Sequence, residues 1–299
     1  MKCRLGPDGV HFFDRSSGLN VLVDEVMVPE ERWSPAPRQV SIAVTNACDL
    51  ACAYCYAPKH HARLSPDHLR AWITELDAAG TLGVGFGGGE PTLYRHLVEV
   101  CTYAAEQTRL AITMTTHGHR WDADLIDQLR GAVHFVRISV DGVEATYERL
   151  RRRSYGALRD RLDLISKAFP IGLNCVVNED TVDQLTQVAD LASAHGAAEL
   201  LLLPEQPTGA RPGAAPEVVS ALRTWLLTYA GPVPLAISAG EASGLPIAVA
   251  LPKEEGLRSY AHIDATGLAR TTSYSTIGEA VTEDGVLAAL DRLAVRNAA

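Results

Sequence analysis

No stretch of the 299-residue chain approaches the about 18 uninterrupted apolar residues that a membrane-spanning helix needs, and the N-terminus, MKCRLGPDGVHFF, lacks the apolar run of a signal peptide. Basic residues are the minority, 27 against 36 acids, and the net charge of −9 argues against general binding to nucleic acid or to an anionic membrane. Cysteine is scarce as well. Its six copies, at 3, 48, 52, 55, 101 and 175, are spread too unevenly for a disulfide framework, and the chain beyond Cys175 offers no thiol. With membrane, secretory and nucleic-acid classes set aside, the expectation is a cytoplasmic protein. Its 47 % hydrophobic content suits one large α/β domain, or a domain with an appendage, around a sizeable core.

From Arg38 to about Glu205, short β-branched runs alternate with longer amphipathic ones, the pattern of βα units and a parallel sheet. Strands are expected near 40–44, 82–86, 110–116, 133–140, 171–177 and 199–203. Helices are expected near 66–79, 93–107, 122–130, 155–168 and 180–194, with a sixth near 216–229. Periodicity alone does not tell an open sheet from a partial barrel. The flanks divide the chain into an N-terminal extension over 1–37, read as a small hairpin with Gly18-Leu19-Asn20 near its turn, a core over 38–205, and a C-terminal extension over 206–299. The last part opens with a linker, QPTGARPGA at 206–214, and holds short strands such as 246–251 and a closing helix near 284–294.

The stretch NACDLACAYCYAPK, residues 46–59, gathers Cys48, Cys52 and Cys55 in the loop directly after the first core strand. Parallel α/β folds place their active sites at that edge. Three clustered thiols in a reducing compartment point to metal binding or redox work. A structural zinc would take a fourth ligand, and His60 and His61 are near in sequence. A 4Fe–4S cluster on three thiolates leaves one iron open to something that is not protein. Residue type leaves both open. A second motif, GVGFGGGEPTLY at 83–94, ends the second strand in Gly87, Gly88 and Gly89 before Glu90-Pro91. Glycine there lets a ligand lie against bare backbone, and the glutamate offers an acceptor to an amino group; alone, the run reads as a tight turn.

Taken together, these motifs resemble those of the radical S-adenosylmethionine (radical SAM) enzymes. The cysteines are spaced as Cys48, Cys52 and Cys55 with an aromatic, Tyr54, before the third, and a Gly-Gly-Glu run is matched by Gly88, Gly89 and Glu90. The resemblance covers about residues 38–205 and implies a partial (β/α)6 TIM-like barrel with one [4Fe–4S] cluster. It further implies that the open iron is chelated by the amino and carboxylate groups of S-adenosylmethionine, with Glu90 on the amino group. One electron, from an external donor such as a flavodoxin or ferredoxin, would then cleave the sulfonium and yield methionine and a 5′-deoxyadenosyl radical that abstracts a substrate hydrogen atom.

Strand parity extends the site, because one face of each strand looks into the lumen and the other toward the helices. In the fourth strand Arg137, Ser139 and Asp141 share one face, opposite His134, Val136, Ile138 and Val140. The segment ISVDG resembles the family's fourth-strand end, which implies contacts from Ser139 and Asp141 to the ribose or methionyl group. Arg137 would lie deeper, holding either a carboxylate of cosubstrate or substrate or an internal salt-bridge partner. Thr115 and His117 share a parity at the end of strand three; relatives commonly carry asparagine where His117 stands, followed by the glycine matched by Gly118. Asn174 and Asn178 of strand five are expected on the cosubstrate, with helix capping as the other reading of Asn178, while Cys175 turns toward the helices as an inert thiol. Glu205 reads as a carboxylate facing substrate or as an exposed loop carboxylate, His119 and Arg120 as a solvated loop. Arg149, Arg151, Arg152 and Arg153 read as a solvated helix face or as an attractor for an acidic peptide or a phosphate-bearing substrate.

In the tail, SYAHIDATGLARTTSY at 259–274 resembles in outline the strand-turn-strand of the cysteine-rich C-terminal extensions of peptide-modifying relatives. It has no cysteine, so an auxiliary cluster there is excluded. The leading expectation is a radical enzyme acting on a ribosomal peptide or a small metabolite, although the N-terminal 38 residues look short for a leader-peptide recognition domain. Two other readings stand beside it: a glycyl-radical-enzyme activase, which resembles this chain only in the barrel, and a zinc-binding structural or interaction protein.

Overall fold

Apolar spacing and caps set the helices. In α1 (Pro66–Ala78) the Ser65 hydroxyl accepts the Asp67 N–H at 3.2 Å, Pro66 takes the first turn, and Leu69, Trp72, Ile73 and Leu76 form the buried stripe. The computed structural model describes residues 1–208, 211–237, 242–246, 248 and 251–298. The N-terminal extension forms three antiparallel strands rather than one hairpin: β1 (Lys2–Gly6), β2 (Gly9–Phe13) and β3 (Asn20–Val23).

The core strands are β4 (Gln39–Thr45), β5 (Gly83–Gly88), β6 (Ala111–Thr116), β7 (Phe135–Ser139), β8 (Ile171–Val177) and β9 (Leu200–Pro204), all parallel and neighbours in chain order. Between them run α1, α2 (Leu97–Gln107), α3 (Ala123–Leu129), the pair α4 (Glu144–Arg151) and α5 (Tyr155–Ser166), and α6 (Leu185–Ala194). This is consistent with the partial barrel that the resemblance implies. After α7 (Pro216–Thr228), β10 (Leu235–Ile237) adds to β9 in parallel. On the opposite edge β11 (Tyr260–Ile263) pairs with β4, followed by antiparallel β12 (Leu268–Arg270) and β13 (Glu279–Ala280). The C-terminal extension therefore widens the same sheet at both edges. Its last helix, α8 (Gly285–Ala298), is anchored by Glu75 of α1, whose carboxylate accepts the N–H groups of Val286 and Leu287 at 2.8 and 2.9 Å.

Two faces of the sheet divide the labour. Val40, Ile42, Val44, Val84, Phe86, Ile112, Met114, Val136, Ile138 and Leu173 are buried under the helices, each contributing roughly 1.5–3 kcal/mol of apolar burial. The other parity carries Ser41, Gly85, Thr113, Thr115, Arg137 and Ser139 in lateral register, a polar lumen.

Helix α4 was not expected. Arg152 turns left-handed (φ 54°, ψ 38°) and ends it, and the Ser154 hydroxyl accepts the Ala157 N–H to start α5, which matches the helix expected near 155–168. Helices expected from 93 and 180 begin at Leu97 and Leu185, because single 3₁₀ turns, Pro91–Leu93 and Val182–Gln184, precede them. The tail strand expected over 246–251 includes 247, 249 and 250, which lie outside the described residues. Among the described residues no helix is long and apolar enough to cross a membrane.

Candidate metal centre at the strand ends

The cysteine loop is clamped from below by the glycines of β5. Gly88 has φ +117°, and a Cβ there would stand 2.4 Å from the Thr45 carbonyl; at Gly89 it would stand 2.2 Å from that of Ala47. The bare backbone is used by the loop itself: Gly89 N–H donates to Thr45 O and Glu90 N–H to Ala47 O, both at 2.7 Å. Gly87 differs. A Cβ there would meet only Thr115, at 3.9 Å, so Gly87 and the exposed Thr115 keep the lumen open beside the loop.

Glu90 is 1 % exposed and saturated. Its Oε1 accepts the Thr92 N–H at 3.2 Å and the hydroxyls of Thr92 and Thr116 at 2.7 Å, and its Oε2 accepts the His117 N–H at 3.0 Å. An amino group would have to share these acceptors or displace a donor. Glu90→Gln turns one acceptor into a donor facing N–H groups, so it should lower the stability of the cofactor-free protein by about 1–3 kcal/mol. Thermal melting checks this; unchanged melting with weaker S-adenosylmethionine binding would return Glu90 to the amino-group role that the resemblance implies.

Behind the loop lies a buried polar hub that sequence patterning missed. Arg151, read as part of a solvated face, is instead turned inward at the end of α4: its Nη2 pairs with Asp141, its Nη1 lies 3.8 Å from Cys52 Sγ, and its guanidinium stands 5.8 Å from the Tyr54 ring centroid. The Tyr54 hydroxyl donates to the same Asp141 oxygen at 2.5 Å, and the other oxygen accepts the Val176 N–H. Burial opposes the charge on Arg151, but Asp141 and the surrounding phenols and thiol outweigh it and hold the group cationic. Burial, then Asp141, pushes the Tyr54 phenol well up. Arg151 Nε is buried with no partner among the described residues. His119, expected in a solvated loop, bonds the buried Tyr147 hydroxyl at 2.7 Å and is pushed down to about 4, chiefly by burial.

All three loop cysteines are free and partly exposed. Ligand atoms of Cys48, Asp49 and His117 lie within 4.8 Å of one another, and His117 Nε2 is 2.8 Å from Asp49 Oδ1. Burial resists ionisation of the Cys48 thiol, and Glu90 adds to the effect. Asp49 keeps a lowered pKa: burial opposes its charge, and the His117 bond overcomes it. Three soft thiols on one loop, with an orphaned N–H close behind, suit an iron–sulfur group. His60 and His61 are exposed and outside the converging set.

The other expected site residues divide by depth. Ser139 is half-buried on the lumen face in register with Asn174. Arg137 shows the internal ion pair: it binds Glu199, which precedes β9 at the N-terminal end of the sheet, and reaches Asn174 Oδ1 at 3.4 Å. Arg137→Met should therefore cost about 1 kcal/mol, as partly exposed ion pairs do, and leave cosubstrate affinity unchanged when both are measured. Asn178 is buried as a turn cap, accepting the Asp180 N–H and donating to Glu205. Glu205 is not an exposed carboxylate; it is 4 % exposed and also paired with Arg211, within the segment read as a linker. From the tail, the Tyr260 hydroxyl and His262 Nδ1 reach Ser41 Oγ at 2.5 and 2.7 Å, and the His262 ring lies 6.3 Å from that of Tyr56, next to Cys55. Only the outline of that hairpin was legible in the sequence.

A parallel partial barrel with a three-thiol loop at the C-terminal ends of its strands defines a class of enzymes that hold an iron–sulfur cluster against a cosubstrate in the lumen. The chain belongs to the radical SAM superfamily: the model of that family matches residues 42–192. It is 28 % identical over 156 residues to Fe-coproporphyrin III synthase of Methanosarcina barkeri, a match covering 50 % of this chain and 39 % of that protein. It is 31 % identical over 175 residues to PqqA peptide cyclase of Rhodopseudomonas palustris, covering 55 % and 46 %. These matches span less than half the length of either relative. The fold is similar to that of Streptococcus suis SuiB bound to S-adenosylmethionine, with a TM-score of 0.74 at 11 % identity over 96 % of this chain and 86 % of that one.

Proposed function

We propose that the chain is a radical SAM enzyme in which Cys48, Cys52 and Cys55 hold one [4Fe–4S] cluster and leave one iron to S-adenosylmethionine. The observation that carries this is the loop itself: three free thiols at the strand ends, clamped by the backbone of Gly88–Glu90 and backed by Arg151. When bound, the cluster supplies the electron that cleaves the sulfonium. The residues of this chain do the rest. Gly87, Thr115, Ser139 and Asn174 line the lumen and position the cosubstrate. Tyr54, Asp141, His117 and Asn178 stand behind that wall and fix the loops.

A peptide substrate is supported by the named activity of PqqA peptide cyclase and by the complex of SuiB with its precursor peptide SuiA; Fe-coproporphyrin III synthase supports a small molecule instead. We favour the peptide, with the extension over 206–299 shaping the pocket through Tyr260 and His262, in a reducing, cytoplasmic setting. Anaerobic purification with iron, sulfide and zinc analysis, followed by dithionite and S-adenosylmethionine, tests the reading: 5′-deoxyadenosine should form slowly without substrate. The convergence of Cys48, Asp49 and His117 favours a second reading, a zinc site. It predicts colourless protein with bound zinc that survives Cys55→Ala.

A further inference from the structure

The cluster loop has an outer side that the site described above does not use. Asp49, whose carboxylate lies within 4.8 Å of the Cys48 thiol, also lines a groove of about 460 Å³ formed with His119, Arg120, Trp121, Asp122, Arg153 and Arg161. The groove is formed by the loops after β4 and β6 together with the start and middle of α5. Its two acids are engaged: Asp49 by His117 and Arg153, and Asp122 as the cap of α3. Arg120 keeps nearly half its side chain exposed and reaches Asp49 only at 3.7 Å.

The adjoining segment is rich in arginine. Residues 149–161 hold six arginines and one acid, Asp160, in a chain of net charge −9. Arg151 is neutralised by Asp141, and Arg149 pairs with Asp180, while Arg152 and Arg159 are exposed. Exposed acids lie near as well: Glu144 and Glu148 of α4, Glu148 accepting the Tyr155 N–H, Asp160 and Asp163 of α5, the latter near His195, and Asp122 and Asp124 at the start of α3. A cationic rim beside the metal loop, on a protein that otherwise repels anions, steers an acidic partner to this one place.

We propose that this groove docks the external electron donor, a small acidic protein with a low-potential one-electron carrier, so that the electron enters from the groove while substrate enters through the lumen. The inference rests on the function proposed above. The step is a single electron transfer: the donor's carrier is oxidised by one electron, the group held by the cysteines is reduced by one, and no bond or proton moves.

The test uses the full reconstituted protein and the variant Arg120→Glu/Arg161→Glu, with 5′-deoxyadenosine formation driven either by dithionite or by a reduced flavodoxin. The parent's flavodoxin-driven rate should fall steeply with added salt, which screens such steering. The variant should lose about tenfold or more of that rate, with little remaining salt dependence and an unchanged dithionite-driven rate. Equal rates for parent and variant with flavodoxin, or an equal fall with both reductants, overturn the proposal. So does a variant that binds an acidic precursor peptide more weakly while accepting electrons normally, which would give the groove to the substrate. Absence of 5′-deoxyadenosine from the parent with dithionite overturns the function itself, and is thereby distinguished from failure of the docking surface.

Discussion

Cys48→Ala, Cys52→Ala and Cys55→Ala should each yield colourless protein stripped of iron and sulfide, while Cys101→Ala and Cys175→Ala keep the brown colour of the parent. The contrast follows from placement. The three loop thiols are free, partly exposed and gathered on one turn, where Cys55 N–H donates to Cys52 O at 3.2 Å. Cys101 and Cys175 are fully buried in α2 and β8, and burial pushes both thiols well above the range in which a thiolate forms at neutral pH. A cluster on three protein ligands has no spare, so loss of any one removes it. Elemental analysis and visible absorption after anaerobic reconstitution decide the matter, and a full cluster in the Cys52 variant would defeat the assignment.

The largest change in stability is expected at Arg151. Replacement by methionine abandons Asp141, 1 % exposed, beside the Tyr54 hydroxyl with its main counter-charge gone. Removing one partner of a buried pair costs about 3–5 kcal/mol, whereas replacing both by neutral groups costs far less. Arg151→Met should thus melt far below the parent, and Arg151→Met/Asp141→Asn should recover much of the loss. If the double variant is as unstable as the single one, the hub is held by packing rather than by charge.

The six strands and their parity were legible because a buried face writes period two into Val40–Val44, Val84–Phe86 and Val136–Ile138. The cysteine loop was legible because the spacing of Cys48, Cys52 and Cys55 is local chemistry. Arg151 was not. In a run of four arginines the amphipathic pattern gives no sign of which one turns inward, since that depends on Asp141 and Tyr54, brought there by other strands. Arg137 taught the complementary lesson: parity showed the face it points to, but its partner Glu199 lies 62 residues further along the chain and becomes a neighbour only when β9 adds to the sheet. The glycines at the end of β5 were read as a place where a ligand lies against bare backbone; what approaches Gly88 and Gly89 here is the backbone of the cysteine loop.

One measurement bears on the account most directly: electron paramagnetic resonance of the anaerobically reconstituted, dithionite-reduced protein with and without S-adenosylmethionine. The account predicts the signal of a reduced [4Fe–4S] cluster that changes when S-adenosylmethionine is added, because one iron is left for it. A cluster signal indifferent to S-adenosylmethionine, or a colourless protein carrying zinc on Cys48, Asp49 and His117, would contradict it.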